Sequence, residues 1–223
     1  MDDTPEPRMV DLAFAVAGDS LPRDHRRQLA AAVLDALPWL ADTAGAGLHR
    51  LNISAGGGPR ALLSARTRLT LRVPPERLAD AGRLAGAELA LGEDRLRLGE
   101  AHARALLPWG TLYAHLVTLA DGGSAEQDLE QAQAPDPGGA DDELTFLKAA
   151  EAQLAALGVR GRLICGRLQT LPDDGLQGYS LMLDGLSAAD AMRLLEAGLG
   201  AHRLLGCGLF VPHKSAAAVG TPP

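Results

Sequence analysis

The chain has 223 residues, a formal net charge of −7, 47% apolar residues and only 3% aromatic ones. That apolar share excludes collagen-like and wholly disordered classes, and no run approaches the ~20 uninterrupted apolar residues of a membrane span. The length suits one large domain or two of about 100 residues, each with its own aliphatic core. The acidic start, residues 1–7, is unlike the basic start of a signal peptide, so a cytoplasmic protein without membrane association is expected. Cys165 and Cys207 are too few for a disulfide framework and read as small buried hydrophobes.

Charge is unevenly distributed. Residues 121–143 hold eight acids and no base, and without them the net charge of −7 becomes +1. The basic residues are 19 Arg to 2 Lys, a bias that suits planar recognition of phosphate, although a GC-rich genome would produce the same bias.

In chain order, Val10, Leu12, Phe14 and Val16 alternate as in a half-buried strand. Leu29, Val33, Leu37 and Leu40 then mark an amphipathic helix over about Pro22 to Leu37. Strands are predicted over Leu48 to Ile53 and Ala65 to Val73, separated by a flexible loop at residues 56–59. A second helix runs from Pro74 to about Ala85, and Glu88 to Leu98 folds into a hairpin at Gly92. The order is β-α-β-β-α-β.

The same order returns after Pro108. A strand over Leu112 to Leu119 precedes a helix marked by Leu144, Leu147, Ala150, Leu154 and Leu157. Strands over Arg160 to Leu168 and Leu176 to Leu183 flank a turn at residues 172–175. Ser187 caps a further helix, with Asp190 as an acidic capping-box partner, and a glycine-punctuated strand ends near Val211. The pattern predicts an α+β protein of two tandem ferredoxin-like domains, residues 1–107 and 108–214. Residues 121–143 are expected to form an acidic insertion in the second domain, and residues 215–223 a disordered tail.

The densest local signal lies at residues 198–208, where Gly198-Leu-Gly200 and Gly206-Cys-Gly208 stand five residues apart, followed by Lys214. Two readings stay open. Glycine amides can hydrogen-bond phosphate, with Arg203 and Lys214 adding charge, or the glycines serve a helix cap and a bulged strand.

This loop resembles that of the CRISPR repeat-cleaving endoribonucleases, the Cas-six family. Shorter matches to a bacterial branch of that family lie at Val10-Asp-Leu-Ala-Phe, Leu21-Pro-Arg-Asp-His25, Gly47-Leu-His-Arg50, Gly178-Tyr-Ser-Leu, Leu183-Asp-Gly-Leu-Ser187 and Gly206-Cys-Gly-Leu-Phe-Val-Pro-His213. The resemblance implies tandem ferredoxin-like domains and metal-independent cleavage of precursor CRISPR RNA within its repeat, with the ribose 2′-hydroxyl as nucleophile. It also implies retention of the processed RNA and association with other subunits of a CRISPR effector complex. No cofactor or metal is implied.

A histidine in the first helix, or in the loop after it, carries the proton transfer in that family. His49 and His25 both fit, with His49 favoured as general base or acid and Arg50 beside it as a charge stabiliser. His49 also reads as an ordinary strand-edge histidine, and His25 as a partly buried or substrate-orienting residue. No tyrosine stands in the first helix, so a tyrosine-assisted mechanism is not expected. The resemblance places Gly198, Gly200, His202, Arg203, Gly206, Gly208 and Lys214 against RNA. Arg66, Arg68 and Arg72 share one face of the predicted third strand and are read as a basic stripe tracking phosphates, or as a solvated face.

His102, His115, His202 and His213 lack metal-ligand spacing. No phosphate-binding Gly-x-x-x-x-Gly-Lys-Ser/Thr loop and no Gly-x-Ser-x-Gly elbow occurs. Two alternatives to the nuclease remain: an inactive repeat-RNA scaffold of the same architecture, and a tandem ferredoxin-like small-molecule sensor.

Overall fold

The computed structural model describes residues 8–53, 58–119, 140–171 and 175–214. The chain divides into two compact units, Met1–Leu106 with Leu204–Gly206, and Leu107–Arg203 with Cys207–Pro223. No helix among the described residues is long and apolar enough to cross a membrane.

In the first unit the strands are β1 (Val10–Ala17), β2 (Ser20–Pro22), β3 (Gly47–Leu48), β4 (Arg60–Leu62), β5 (Arg68–Val73), β6 (Glu88–Leu91) and β7 (Asp94–Ala105). The helices are α1 (Arg26–Ala36) and α2 (Leu78–Gly82). The main sheet has the order β3-β5-β1-β7-β6. With β6 set aside as a hairpin partner of β7, this is the strand order of a ferredoxin-like fold. All its pairings are antiparallel. Val10, Leu12 and Phe14 on β1 and Leu69, Leu71 and Val73 on β5 are buried on one face, where α1 contributes Leu29, Ala30 and Val33 to the core. Strand alternation sends Asp11 and Thr70 to the other face.

Four boundaries differ from the expected ones for local reasons. The first helix begins at Arg26 rather than Pro22, because Ser20–Pro22 pairs with Arg60–Leu62 and buries Leu21 against Ala61. The strand expected over Leu48 to Ile53 pairs only at Gly47 and Leu48. Its neighbour starts at Arg68, since the Ser64–Thr67 turn is closed by the Thr67 amide on the Ser64 carbonyl at 2.9 Å. The helix after Pro74 opens as a 3-10 turn over Pro75–Arg77 before α2.

The second unit contains β8 (Thr111–Val117), α3 (Ala140–Ala156), β9 (Arg162–Thr170), β10 (Gln177–Asp184), α4 (Ala188–Ala197) and β11 (Val211–Pro212). Its sheet order, β11-β8-β10-β9, is the ferredoxin-like order again. Ser187 caps α4 as the sequence predicts, its Oγ accepting from the Asp190 amide at 3.1 Å and donating to the Asp190 carboxylate at 2.7 Å. Most of the expected insertion, residues 121–139, lies outside the described residues, as do residues 54–57, 172–174 and 215–223. The C-terminal end of that range is helical, because α3 begins at Ala140. Acidic residues such as Glu143 are favoured in a first helical turn by the positive end of the helix dipole.

Candidate active site

The site begins with strand register. Pairing of β1 with β5 sets Asp11 opposite Arg72, and pairing of β3 with β5 sets Gly47 opposite the same arginine. Arg72 is only 1% exposed. Its guanidinium grips the Asp11 carboxylate with both ends of the fork, Nε on Oδ1 at 2.8 Å and Nη2 on Oδ2 at 3.0 Å. A bidentate pair of this kind is the geometry that a buried arginine demands.

His49 follows β3 directly. Its backbone amide donates to the Thr70 carbonyl at 2.8 Å, which continues the sheet by one bond and carries the imidazole to the face of Asp11. The ring Nε2 lies 3.3 Å from Asp11 Oδ1. The His49 side chain is 14% exposed and that of Asp11 18%, so both are half-buried.

Burial alone would raise the Asp11 pKa, but hydrogen bonds from His49 and Arg72 outweigh it and hold the carboxyl well below the usual carboxylate range. Burial pushes the His49 pKa down, and the charge of Arg72 adds to that push. The bond to Asp11 opposes the shift without reversing it. His49 is therefore a neutral imidazole at neutral pH, able to accept a proton.

His25 stands elsewhere. It is 3% exposed at the N-terminus of α1, and its Nδ1 donates to the Pro22 carbonyl at 2.7 Å. Burial lowers its pKa as well. Arg50 is exposed, and its backbone lies where a side chain on Gly206 would fall, 3.0 Å from that Cβ position.

The basic stripe loses one member. Arg72 is enclosed and engaged with Asp11, unlike the exposed stripe member expected from its strand period. Arg66 is exposed. Arg68 is half-buried, and one of its guanidinium nitrogens bonds the carbonyls of Ala65 and Thr67. Register adds an exposed cation that sequence reading missed, Arg104 on β7, opposite Asp11. Asp11 was missed as well. One acid in an apolar strand carries no motif, and only its pairing with β5 reveals its partners.

The glycine loop is built for backbone packing. Gly198, Gly200, Gly206 and Gly208 have positive φ values of 65°, 78°, 79° and 66°. A Cβ on Gly200 would strike the Thr118 carbonyl, and one on Gly208 the Leu199 carbonyl. Three amides expected to cradle phosphate are already engaged. That of Gly198 donates to Leu194 O at 2.9 Å, that of Gly200 to Gln153 Oε1 at 3.1 Å, and that of Gly208 to Leu116 O at 2.8 Å. These bonds are the ones the cap-and-bulge reading expects. His202 is 5% exposed, with Nδ1 2.9 Å from Thr118 Oγ1, so its side chain sits in the core of the second unit. Arg203 lies against Gly198, and Lys214 is exposed.

Among the described residues no group of three or more His, Cys, Asp or Glu side chains is arranged to hold a metal ion.

Comparison with known proteins agrees with this architecture. The Cas6 CRISPR family model matches residues 10–215. A CRISPR-associated endonuclease Cas6 from Myxococcus xanthus (strain DK1622) is 35% identical over 212 residues, covering 94% of this chain and 84% of that protein. Among solved structures, a Cas6-related protein from Pyrococcus furiosus superposes with a TM-score of 0.59 at 12% identity, covering 91% of this chain and 98% of the other. A Cas6 substrate-mimic complex superposes with a TM-score of 0.51 at 15% identity, covering 91% and 97%.

Two outcomes follow for stability. Gly200→Ala should destabilise the second unit by more than about 2 kcal/mol, because strain at positive φ adds to a collision with backbone. Gly158→Ala, at φ 66° with nothing within 4 Å of its Cβ, should cost only about 1 kcal/mol. Urea denaturation of the two variants separates these values. Arg72→Met should cost about 3 kcal/mol by stranding the Asp11 carboxylate, and the double variant Asp11→Leu/Arg72→Met should recover most of it in the same assay.

Proposed function

The chain belongs to the Cas6 family and is an endoribonuclease of CRISPR RNA processing, and we propose that it cuts within the repeat by metal-independent attack of the ribose 2′-hydroxyl, with His49 as general base. The 2′-oxygen forms a bond to the adjacent phosphorus while the bond from phosphorus to the 5′ oxygen breaks. The 2′-hydroxyl proton passes to His49, the departing 5′ oxygen takes a proton from water, and the imidazolium returns its proton to solvent. Products are a 2′,3′-cyclic phosphate and a 5′-hydroxyl, and no redox change occurs. The RNA supplies the nucleophile, so the protein needs only to orient, deprotonate and stabilise charge.

The observation that carries this reading is the neutral, oriented imidazole of His49, with its pKa lowered by burial and its Nε2 tied to Asp11. A base must be unprotonated at working pH, and a lowered pKa keeps it so. His25 is more enclosed, and its Nδ1 is committed to Pro22. Arg50, exposed next to His49, is the group we assign to the charge that builds on the phosphate. Arg66, Arg68 and Arg104 on the first unit, and Arg203 and Lys214 on the second, are the proposed phosphate contacts. We further propose that the processed RNA stays bound and carries the protein into an effector complex.

Labelled repeat RNA incubated with the protein in excess chelator should be cut to a cyclic-phosphate product. His49→Ala should lose about 100-fold or more in rate, while His25→Ala retains cleavage. Cleavage surviving in His49→Ala and lost in His25→Ala would move the proton transfer to His25. Binding without cleavage by the unaltered protein would favour an inactive scaffold. Binding measured against salt should show a log–log slope reduced by about 0.7 to 1 for Arg104→Ala, one phosphate contact, and by nothing for an exposed arginine off this face such as Arg83→Ala.

A further inference from the structure

Neutral histidine exists in two tautomers, and only one presents a given nitrogen as a base. At His49 the surroundings choose between them. Nε2 faces Asp11 Oδ1 at 3.3 Å, and Asp11 is ionised and held on both oxygens by Arg72. An ionised carboxylate only accepts hydrogen bonds, so Nε2 carries the hydrogen and the lone pair sits on Nδ1.

We propose that Asp11, locked in place by Arg72, is the positioning residue for His49, selecting the Nε2–H tautomer and aiming Nδ1 as the atom that takes the 2′-hydroxyl proton. This rests on the assignment of His49 as the base.

Each partner is needed for a separate reason. Asp11 alone could rotate about its side-chain bonds, and the two-pronged grip of Arg72 removes that freedom. A bare carboxylate beside a half-buried imidazole would also favour the imidazolium, which cannot act as a base. Arg72 cancels that charge, so His49 is oriented by a carboxylate without being held protonated. Arg68 lies at the far end of β5, opposite Ala15, and Glu88, Asp94, Arg95, Arg97 and Glu100 lie along β6 and the first part of β7. The charged groups nearest in register are Arg104 and His102 on β7, opposite Asp11 and Ala13 across β1, and Arg50 next to His49 in the chain. All three are exposed, so water and salt screen them more than the enclosed pair.

The test is single-turnover cleavage of labelled repeat RNA across the histidine titration range, for the unaltered protein, Asp11→Asn, Arg72→Gln and His49→Ala. Asp11→Asn should lower the plateau rate by about 10- to 100-fold, part of what a positioned base contributes, with RNA affinity unchanged. The two charge variants should move the acidic limb in opposite directions. Removing the Asp11 charge leaves Arg72 to depress His49, so the limb shifts to lower pH. Removing Arg72 leaves Asp11 to raise it, so the limb shifts to higher pH. A purely structural role predicts no such opposition.

Nitrogen-15 spectra of histidine-labelled protein, with His49 assigned by its loss in His49→Ala, read the tautomer in the unaltered chain and so stand even if a variant fails to fold. They should show a protonated Nε2 and a bare Nδ1. A bare Nε2 in the unaltered chain, or an Asp11→Asn rate profile matching the unaltered one while His49→Ala is inactive, overturns the positioning role. Full cleavage by His49→Ala overturns instead the assignment of the base on which it rests.

Discussion

The ion pair of Arg72 with Asp11 is the constraint around which the first unit is organised. A guanidinium cannot neutralise itself by losing a proton, so an enclosed arginine must find a carboxylate, and removing that partner costs several kcal/mol. Arg72 sits on β5 between β1 and β3, and its partner comes from β1. The pair therefore ties adjacent strands on the face opposite the aliphatic core. Once Asp11 is placed there, the residue after β3 on the same face meets a fixed carboxylate, and that residue is His49.

Chemistry follows from this placement. A histidine on a free loop would titrate near its ordinary value and sample many orientations. Burial and a neighbouring cation keep His49 neutral, while the carboxylate keeps it aligned. The opposing charges matter more than either alone, since orientation and protonation state are set by different members of the same pair.

The glycine loop shows how a sequence signature can be specific for reasons other than ligand contact. Its glycines recur because the backbone turns through positive φ and packs against other backbone. Gly200 closes on Thr118, Gly208 on Leu199 and Gly206 on Arg50. The amides of Gly198, Gly200 and Gly208 are spent on that packing. Leu204–Gly206 belong to the first unit, where Arg26 Nη1 donates to the Leu205 carbonyl at 2.9 Å. The shape of the loop thus rests on these contacts, and its charged members, Arg203 and Lys214, are the groups proposed to meet phosphate.

Elements with strong local signals were legible in the sequence. Alternation over Val10 to Val16, the Ser187 cap with Asp190 and the paired glycine triplets all rest on neighbouring residues, and repetition of one order of elements specified two ferredoxin-like units. His49 was legible as a candidate because a histidine beside an arginine after a glycine turn is a local pattern. What tertiary structure alone decided is the environment of each charge. Arg66, Arg68 and Arg72 share a two-residue period, yet Arg66 falls in the turn before β5 and stays exposed, while pairing of β5 with β1 and β3 buries Arg72, and no period in one strand records its neighbours. Asp11, distant from His49 and Arg72 in the chain, joins them only through register. A sequence determines which residues can do chemistry; the long-range pairing of strands determines which of them are desolvated, aligned and charged, because those properties belong to contacts between segments.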